Sequence, residues 1–204
     1  MIRNILFDMG NVLIRFDRQA FLDRLEVSPE DKQLLLERVF LSTEWVQMDR
    51  GTLDEPEAEA RMGADLPERL HGAVHQLVSL WDQPMLPIDG MYELVEELKN
   101  AGCGLYLLSN ASRRQHSYWP RIEASRFFDG TIISADEGIM KPSCEYFIRA
   151  LNRFGLKAHE CFFVDDMPAN VEAAAFCGIP GTVFRGDAAL LRRQLRAAGV
   201  NITE

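Results

Sequence analysis

The sequence predicts an α/β protein: a mostly parallel, doubly wound sheet with a helical segment inserted after its first strand. Three observations carry this. Short apolar runs bounded by Gly, Asp, Ser or Asn recur along the chain, and helical patterns alternate with them. Between about residues 15 and 87 that rhythm stops, and only helical patterns remain.

The first run, Ile2–Phe7, is too short for a helix and suits a strand buried on both faces. Asp8 follows it at once, then Met9-Gly10-Asn11 and Val12-Leu13-Ile14. Helical stretches come next at Arg18–Leu25, Pro29–Phe40 and Glu55–Met62, punctuated by Gly51 and Gly63-Ala64-Asp65, with Pro84 to Pro87 at the exit. Such an insertion over the strand ends would exclude water and select substrates; an ordinary helical subdomain is the other reading. Gly90–Asn100 carries Met91, Leu94, Val95 and Leu98 at helical spacing. Gly102-Cys103-Gly104 precedes a strand and lacks a third glycine, so it reads as a helix stop rather than a dinucleotide fingerprint. The remaining strands are Gly104–Leu108, Gly130–Ile133, Cys161–Val164 and a possible fifth at Gly181–Phe184, with helices at Ser143–Phe154 and Ala169–Cys177.

A chain of 204 residues can bury a full core, and its net charge of -9 argues against general binding to nucleic acid or anionic membranes. The four cysteines lack CxxC pairing and read as reduced, mostly buried thiols. The start has no secretory apolar region and no run approaches membrane-spanning length, so a cytoplasmic protein is expected. His71 and His75 lie one helical turn apart without a third ligand, which favours a solvated helix face over a metal site.

Chemistry gathers at the carboxyl ends of the strands, where open α/β sheets bind ligands. The first strand ends in Asp8, the second in Ser109-Asn110 and the fourth in Asp165-Asp166; Lys141 follows the third, within Ser134–Pro142. Taken singly, Asp8 is equally a turn or capping residue, and an Asp-Asp pair or a Lys-Pro step is an ordinary loop feature. Together they form the set that phosphoryl transfer needs. A carboxylate nucleophile approaches a phosphate only if cations offset the repulsion. Asp8 and the Asp165-Asp166 pair can hold Mg²⁺, Lys141 adds a second cation, and Ser109 with the backbone around Asn110 can donate to phosphoryl oxygens.

These segments, ILFDMGNVL, LLSN, GIMKP and FFVDDMPANVEAA, resemble the four motifs of the haloacid dehalogenase superfamily. The resemblance implies a Rossmann-like core over residues 1–14 and 88–204 with a helical cap over 15–87. SYWP (Ser117–Pro120) and the glycine of the first motif look closest to the bacterial sugar-1-phosphate phosphatase branch, with the phosphatase domain of soluble epoxide hydrolases another near relative. It further implies a phosphatase, with Mg²⁺ as cofactor and a small phosphorylated metabolite as partner, glucose 1-phosphate being one example. Asp8 would be the nucleophile and a Mg²⁺ ligand, with Asp166 a second ligand. Ser109, Asn110 and Lys141 would bind phosphate, Lys141 also neutralising Asp8. Asp165 would orient Lys141 or act through water, and Asn170, where many relatives have Asp, would support the ligands from behind.

One position departs from the pattern. The family commonly has an acid-base Asp two residues after the nucleophile; here that place is Gly10, whose carbonyl can still coordinate Mg²⁺. Three outcomes are open: substrates with good leaving groups (acyl, aryl or anomeric phosphates), a proton supplied from the cap by Asp17, Glu44 or Asp49, or phosphate binding with little turnover. A metal-independent 2-haloacid dehalogenase shares the fold and nucleophile, but has no use for Asp165-Asp166. Trp45, Met48, Asp49 and Arg50 of the insertion, and Arg113 and Arg114 after the second motif, could contact a substrate or simply face solvent.

Overall fold

The computed structural model describes residues 1–202. In chain order, β1 (Asn4–Phe7) is followed by five helices: α1 (Arg18–Asp23), α2 (Pro29–Leu35, continued by a π-helical turn, Leu36–Phe40), α3 (Thr43–Arg50), α4 (Glu55–Ala64) and α5 (His71–Ser79). Then come α6 (Met91–Asn100), β2 (Gly104–Ser109), α7 (Gln115–Tyr118), β3 (Gly130–Ile133), α8 (Ser134–Glu137), α9 (Cys144–Phe154), β4 (Cys161–Asp165), α10 (Pro168–Phe176), β5 (Gly181–Val183) and α11 (Ala188–Ala197).

The five apolar runs all form strands, in the order β3-β2-β1-β4-β5, and every pairing is parallel. β1 is central, and Phe7 is level with Leu107 on β2 and Val164 on β4. One residue further on, Asp8 therefore leaves the sheet beside Leu108 and Asp165. This is the point where connections run to opposite sides of the first strand, and the crevice there is the natural ligand site.

Strand residues alternate between two apolar layers, which is why these strands read as unbroken apolar runs. Ile5, Phe7, Leu105, Leu107, Phe162 and Val164 join a core that continues through α6 and α11 into the inserted helices. Leu6, Leu108, Ile132 and Phe163 pack on the other face against Tyr146 and Phe147 of α9 and Ala174 of α10.

Inserted helices start at capped ends: Asp17, Ser28, Ser42 and Asp54 each accept an N–H from the first turn of α1, α2, α3 and α4 respectively. The sequence reading delimits no helix at α3, α7, α8 or α11, and at α5 it gives only the helical face carrying His71 and His75. α3 buries only Met48 in its eight residues, so no 3.6-residue apolar period is visible. The chain enters and leaves the insertion side by side. Arg15 N–H donates to Leu86 O at 2.8 Å and Ile88 N–H to Leu13 O at 3.0 Å. Two features of the reading hold: Gly102 has φ +82° in the turn closing α6, and His71 and His75 lie on an exposed face, with His75 paired to Glu59. All four cysteines are free thiols. No helix among the described residues is long and apolar enough to cross a membrane.

Tyr146 ties the carboxyl ends of two strands together. Its hydroxyl lies 3.0 Å from Ser109 O and 2.9 Å from Ile132 O, and the side chain is fully buried. Tyr146→Phe keeps the ring and leaves those carbonyls short of a donor, so urea denaturation should show a loss of ~1–3 kcal/mol. An unchanged midpoint would mean that the hydroxyl does not hold β2 to β3.

Candidate active site

The loop after β1 is held by its own backbone. Asp8 N–H donates to Val164 O at 2.8 Å, and Met9 O accepts from Leu13 at 2.9 Å and Ile14 at 3.1 Å. Asn11 adopts φ +53°, a left-handed conformation that Asn tolerates better than most residues. Its carbonyl Oδ1 accepts Phe16 N–H at 3.0 Å, and its Nδ2 donates to Asp166 Oδ2 at 3.1 Å. Asn11 thus joins the first motif to the fourth, a contact for which the sequence offers no signal beyond the turn itself.

Lys141 is the centre of the cluster. Its ammonium, 1% exposed, donates to Asp8 Oδ1, Asp165 Oδ2 and Leu108 O, each at 2.7 Å. An ammonium has three donors, and all three are engaged. The backbone of Lys141 is clamped as well: its N–H donates to Asn110 Oδ1 at 2.8 Å and its carbonyl accepts from Asn110 Nδ2 at 2.9 Å. The Asn110 side chain is therefore occupied in holding Lys141, and any contact with a phosphate falls to its main chain. Asp165 is fully buried and surrounded by donors: Lys141, Met167 N–H at 2.8 Å and Asn170 Nδ2 at 3.0 and 3.1 Å. Its oxygens are engaged in fixing Lys141, and Asn170 fixes Asp165 in turn. Ser109 is buried beside them at the end of β2.

Carboxylate oxygens of Asp8, Asp165 and Asp166 lie within 4.8 Å of one another. When ionised, these three against one ammonium leave two negative charges uncompensated. Burial pushes the Asp8 carboxyl up to about 7, Lys141 opposing and the Asp165 charge adding. Burial alone would lower the Lys141 pKa, but the Asp8 and Asp165 charges outweigh it and raise it. Asp166 is raised by burial, with Asn11 opposing. A hard dication fits this donor set in charge and in chemistry; with Asp165 engaged, Asp8 and Asp166 are the carboxylates that could hold it. No other group of three or more candidate metal-ligating side chains occurs among the described residues.

Above the cluster lies a cavity of about 800 Å³. Asp8, Gly10, Ser109, Lys141 and Asp166 line its floor. Its walls include Phe16, Phe40, Trp45, Trp81 and Tyr118, which pack edge to face or tilted: Phe16–Trp81 and Phe40–Trp45 have centroids 5.0 Å apart and Trp81–Tyr118 5.2 Å. Arg18, Asp49 and Glu55 supply charge within it. Of the residues expected to reach down from the insertion, Trp45, Met48 and Asp49 line the cavity, whereas Arg50 points to Met140 Sδ at 4.0 Å.

Arg113 and Arg114 brace the loop after β2. Arg113 donates to Gly51 O at 3.1 Å and to Ala135 O at 2.9 Å. Arg114 pairs at 2.6 Å with Asp82, a buried carboxylate that also takes Arg121. Sequence reasoning missed Asp82, and missed the roles of Tyr118 and Asn11 within the motif segments that hold them, because each matters through a partner distant along the chain.

A family model described as a haloacid dehalogenase-like hydrolase matches residues 2–178. The chain is 30% identical to a sesquiterpene phosphatase, astK, of Aspergillus oryzae, over 86% of each protein. It is 25% identical to a flavin mononucleotide hydrolase of Arabidopsis thaliana over 78% of this chain and 63% of that one. Among solved structures, a haloacid dehalogenase family enzyme of Bacteroides thetaiotaomicron in complex with magnesium and inorganic phosphate superposes with TM-score 0.73, at 22% identity, covering 94% of this chain and 99% of that one. That last likeness establishes the fold. With motifs, sheet order and family match in agreement, the chain belongs to the haloacid dehalogenase-like hydrolases.

Proposed function

We propose that this protein is a Mg²⁺-dependent phosphomonoester hydrolase that works through an aspartyl-phosphate on Asp8. The observation carrying the reading is the buried Lys141 ammonium bonded to Asp8 at 2.7 Å beside two further carboxylates. Asp8 supplies the attacking oxygen, and its other neighbours hold it in place. Asp8, Asp166 and the Gly10 carbonyl would hold Mg²⁺, which would draw the phosphate in and offset its charge. Lys141 keeps the Asp8 carboxylate and the arriving phosphate from repelling each other. Ser109 Oγ and the main chain at Asn110 donate to phosphoryl oxygens. Asp165 and Asn110 orient Lys141; Asn170 orients Asp165. Residues 15–87 act as a cap that closes the cavity against water. A metal-independent dehalogenase would gain nothing from Asp166, and the charge imbalance at the cluster favours the metal-dependent reading.

The substrate class follows from the walls. A sugar phosphate, such as glucose 1-phosphate, was the expectation from SYWP and Gly10. The wall formed by Phe16, Phe40, Trp45 and Trp81 favours a leaving group with an apolar or planar face. The relatives named for a sesquiterpene and for flavin mononucleotide support the same reading.

Two outcomes are expected. With an aryl phosphate, the protein releases phosphate in Mg²⁺, EDTA stops release, and Asp8→Asn does no better than a blank; equal rates for both proteins would remove the enzyme reading and leave a phosphate binder. In a substrate panel, naphthyl or prenyl monophosphates should show kcat/KM about 10-fold or more above glucose 1-phosphate, since burying apolar area contributes ~25 cal/mol per Å². A preference for the sugar would overturn the substrate class while leaving the chemistry intact.

A further inference from the structure

We infer that Asp49, carried on the inserted helices, is the general acid and base of the reaction proposed for Asp8. The inference rests on that reading and supplies what it lacks: a group to protonate the departing oxygen and then to deprotonate water.

Nothing on the cavity floor can do this. Asp8 is consumed as nucleophile. Lys141 has every donor engaged, and the carboxylates around it hold its proton. Asp165 is fully buried among donors, and Asp166, bonded by Asn11 Nδ2 at 3.1 Å, is taken up as the second metal-holding carboxylate of that reading. Gly10 has no side chain. Of the cap candidates, Glu44 does not line the cavity, and the Asp17 carboxylate caps α1, accepting Ala20 N–H at 3.1 Å.

Asp49 lines the cavity and is held from several sides. Trp45 and the Ser112 main chain lie near enough to its carboxylate to favour the charged form. Its own carbonyl accepts from Ser134 Oγ, which also receives Ala111 N–H at 2.9 Å. Gly51, two residues on, lies so close that a Cβ there would overlap the Ala135 backbone, and Arg113 bridges the two carbonyls. The end of α3 is thereby docked on the loop that continues from Ser109. Tyr118 lines the same cavity as Asp8 and Asp49 and feels the charge of both.

The steps balance. Asp8 attacks phosphorus, the bond to the leaving oxygen breaks, and that oxygen takes the Asp49 proton. Water then attacks phosphorus and gives a proton to Asp49, the Asp8–phosphorus bond breaks, and phosphate leaves. Burial pushes the Asp49 carboxyl up to about 7; Arg18, Trp45 and Ser112 oppose, and the Glu55 charge adds. Arg18, Glu55 and Tyr118 are the ionisable groups facing it. An acid of that pKa holds a proton in a useful fraction of molecules near neutrality.

The test compares Asp49→Asn with the unaltered protein on p-nitrophenyl phosphate, whose leaving group needs little protonation, and on an alkyl phosphate. Asp49→Asn should give a burst of about one equivalent of nitrophenolate, then turnover slowed ~10²–10⁴-fold, with no burst on the alkyl ester. Its kcat/KM profile should lose the fall above about pH 7, and Asp49→Glu should restore part of the rate. Glu44→Gln should behave as the unaltered protein. Wild-type turnover in Asp49→Asn, loss of burst and turnover together, or the burst phenotype in Glu55→Gln instead would each overturn the assignment. Failure of the Asp8 reading is separable, because the unaltered protein would then show no Mg²⁺-dependent release.

Discussion

One excess of charge organises this molecule. Three carboxylates and a single ammonium meet at the carboxyl end of the central strand, away from most solvent. Burying charge is costly unless it is paired and hydrogen-bonded. The surrounding structure provides for both: the sheet register sets β1 beside β4, Asn110 clamps the Lys141 backbone, and Asn170 and Met167 N–H satisfy Asp165. What the protein does not balance is the charge on Asp8 and Asp166. That excess of negative charge suits a dication, which in the proposed reaction would bring in the phosphate.

The inserted helices are bound to the same point. A buried Asp82 carboxylate ties the exit of the insertion to Arg114 and Arg121, and Arg113 ties the end of α3 to α8. Arg113 and Arg114 extend from the loop that follows β2, so the segment presenting Ser109 also anchors the roof. In the proposed reaction, an apolar, aromatic enclosure over a charged floor would divide the work: the floor would handle any phosphate alike, and the walls would choose what is attached to it. Gly10 fits this division, since losing a carboxylate on the floor matters less if the roof carries one.

Much of this was legible in the chain. The five strands were readable because residues buried on both faces leave unbroken apolar runs, and Asp8, Ser109, Lys141 and Asp166 were readable because strand ends converge in a parallel sheet. α3 was not, because a helix that buries one side chain leaves no period. The backbone around Asn110 was expected at the phosphate; that its side chain holds Lys141 was not legible, being a role set by a residue 31 positions away. The contacts of Asn11, Asp82 and Tyr118 were illegible for the same reason, although SYWP and the first motif had singled out the segments holding Tyr118 and Asn11. Sequence alone left Asp17, Glu44 and Asp49 equivalent; the docking of α3 separates them.

The central claim is that Asp8 becomes covalently phosphorylated. Quenching the protein in acid during turnover, reducing with borohydride and mapping the peptides by mass spectrometry tests it directly, since an aspartyl-phosphate is converted to homoserine. The account predicts homoserine at position 8 alone, appearing only with substrate and Mg²⁺. An unmodified Asp8 under those conditions, or modification at another residue, would contradict it.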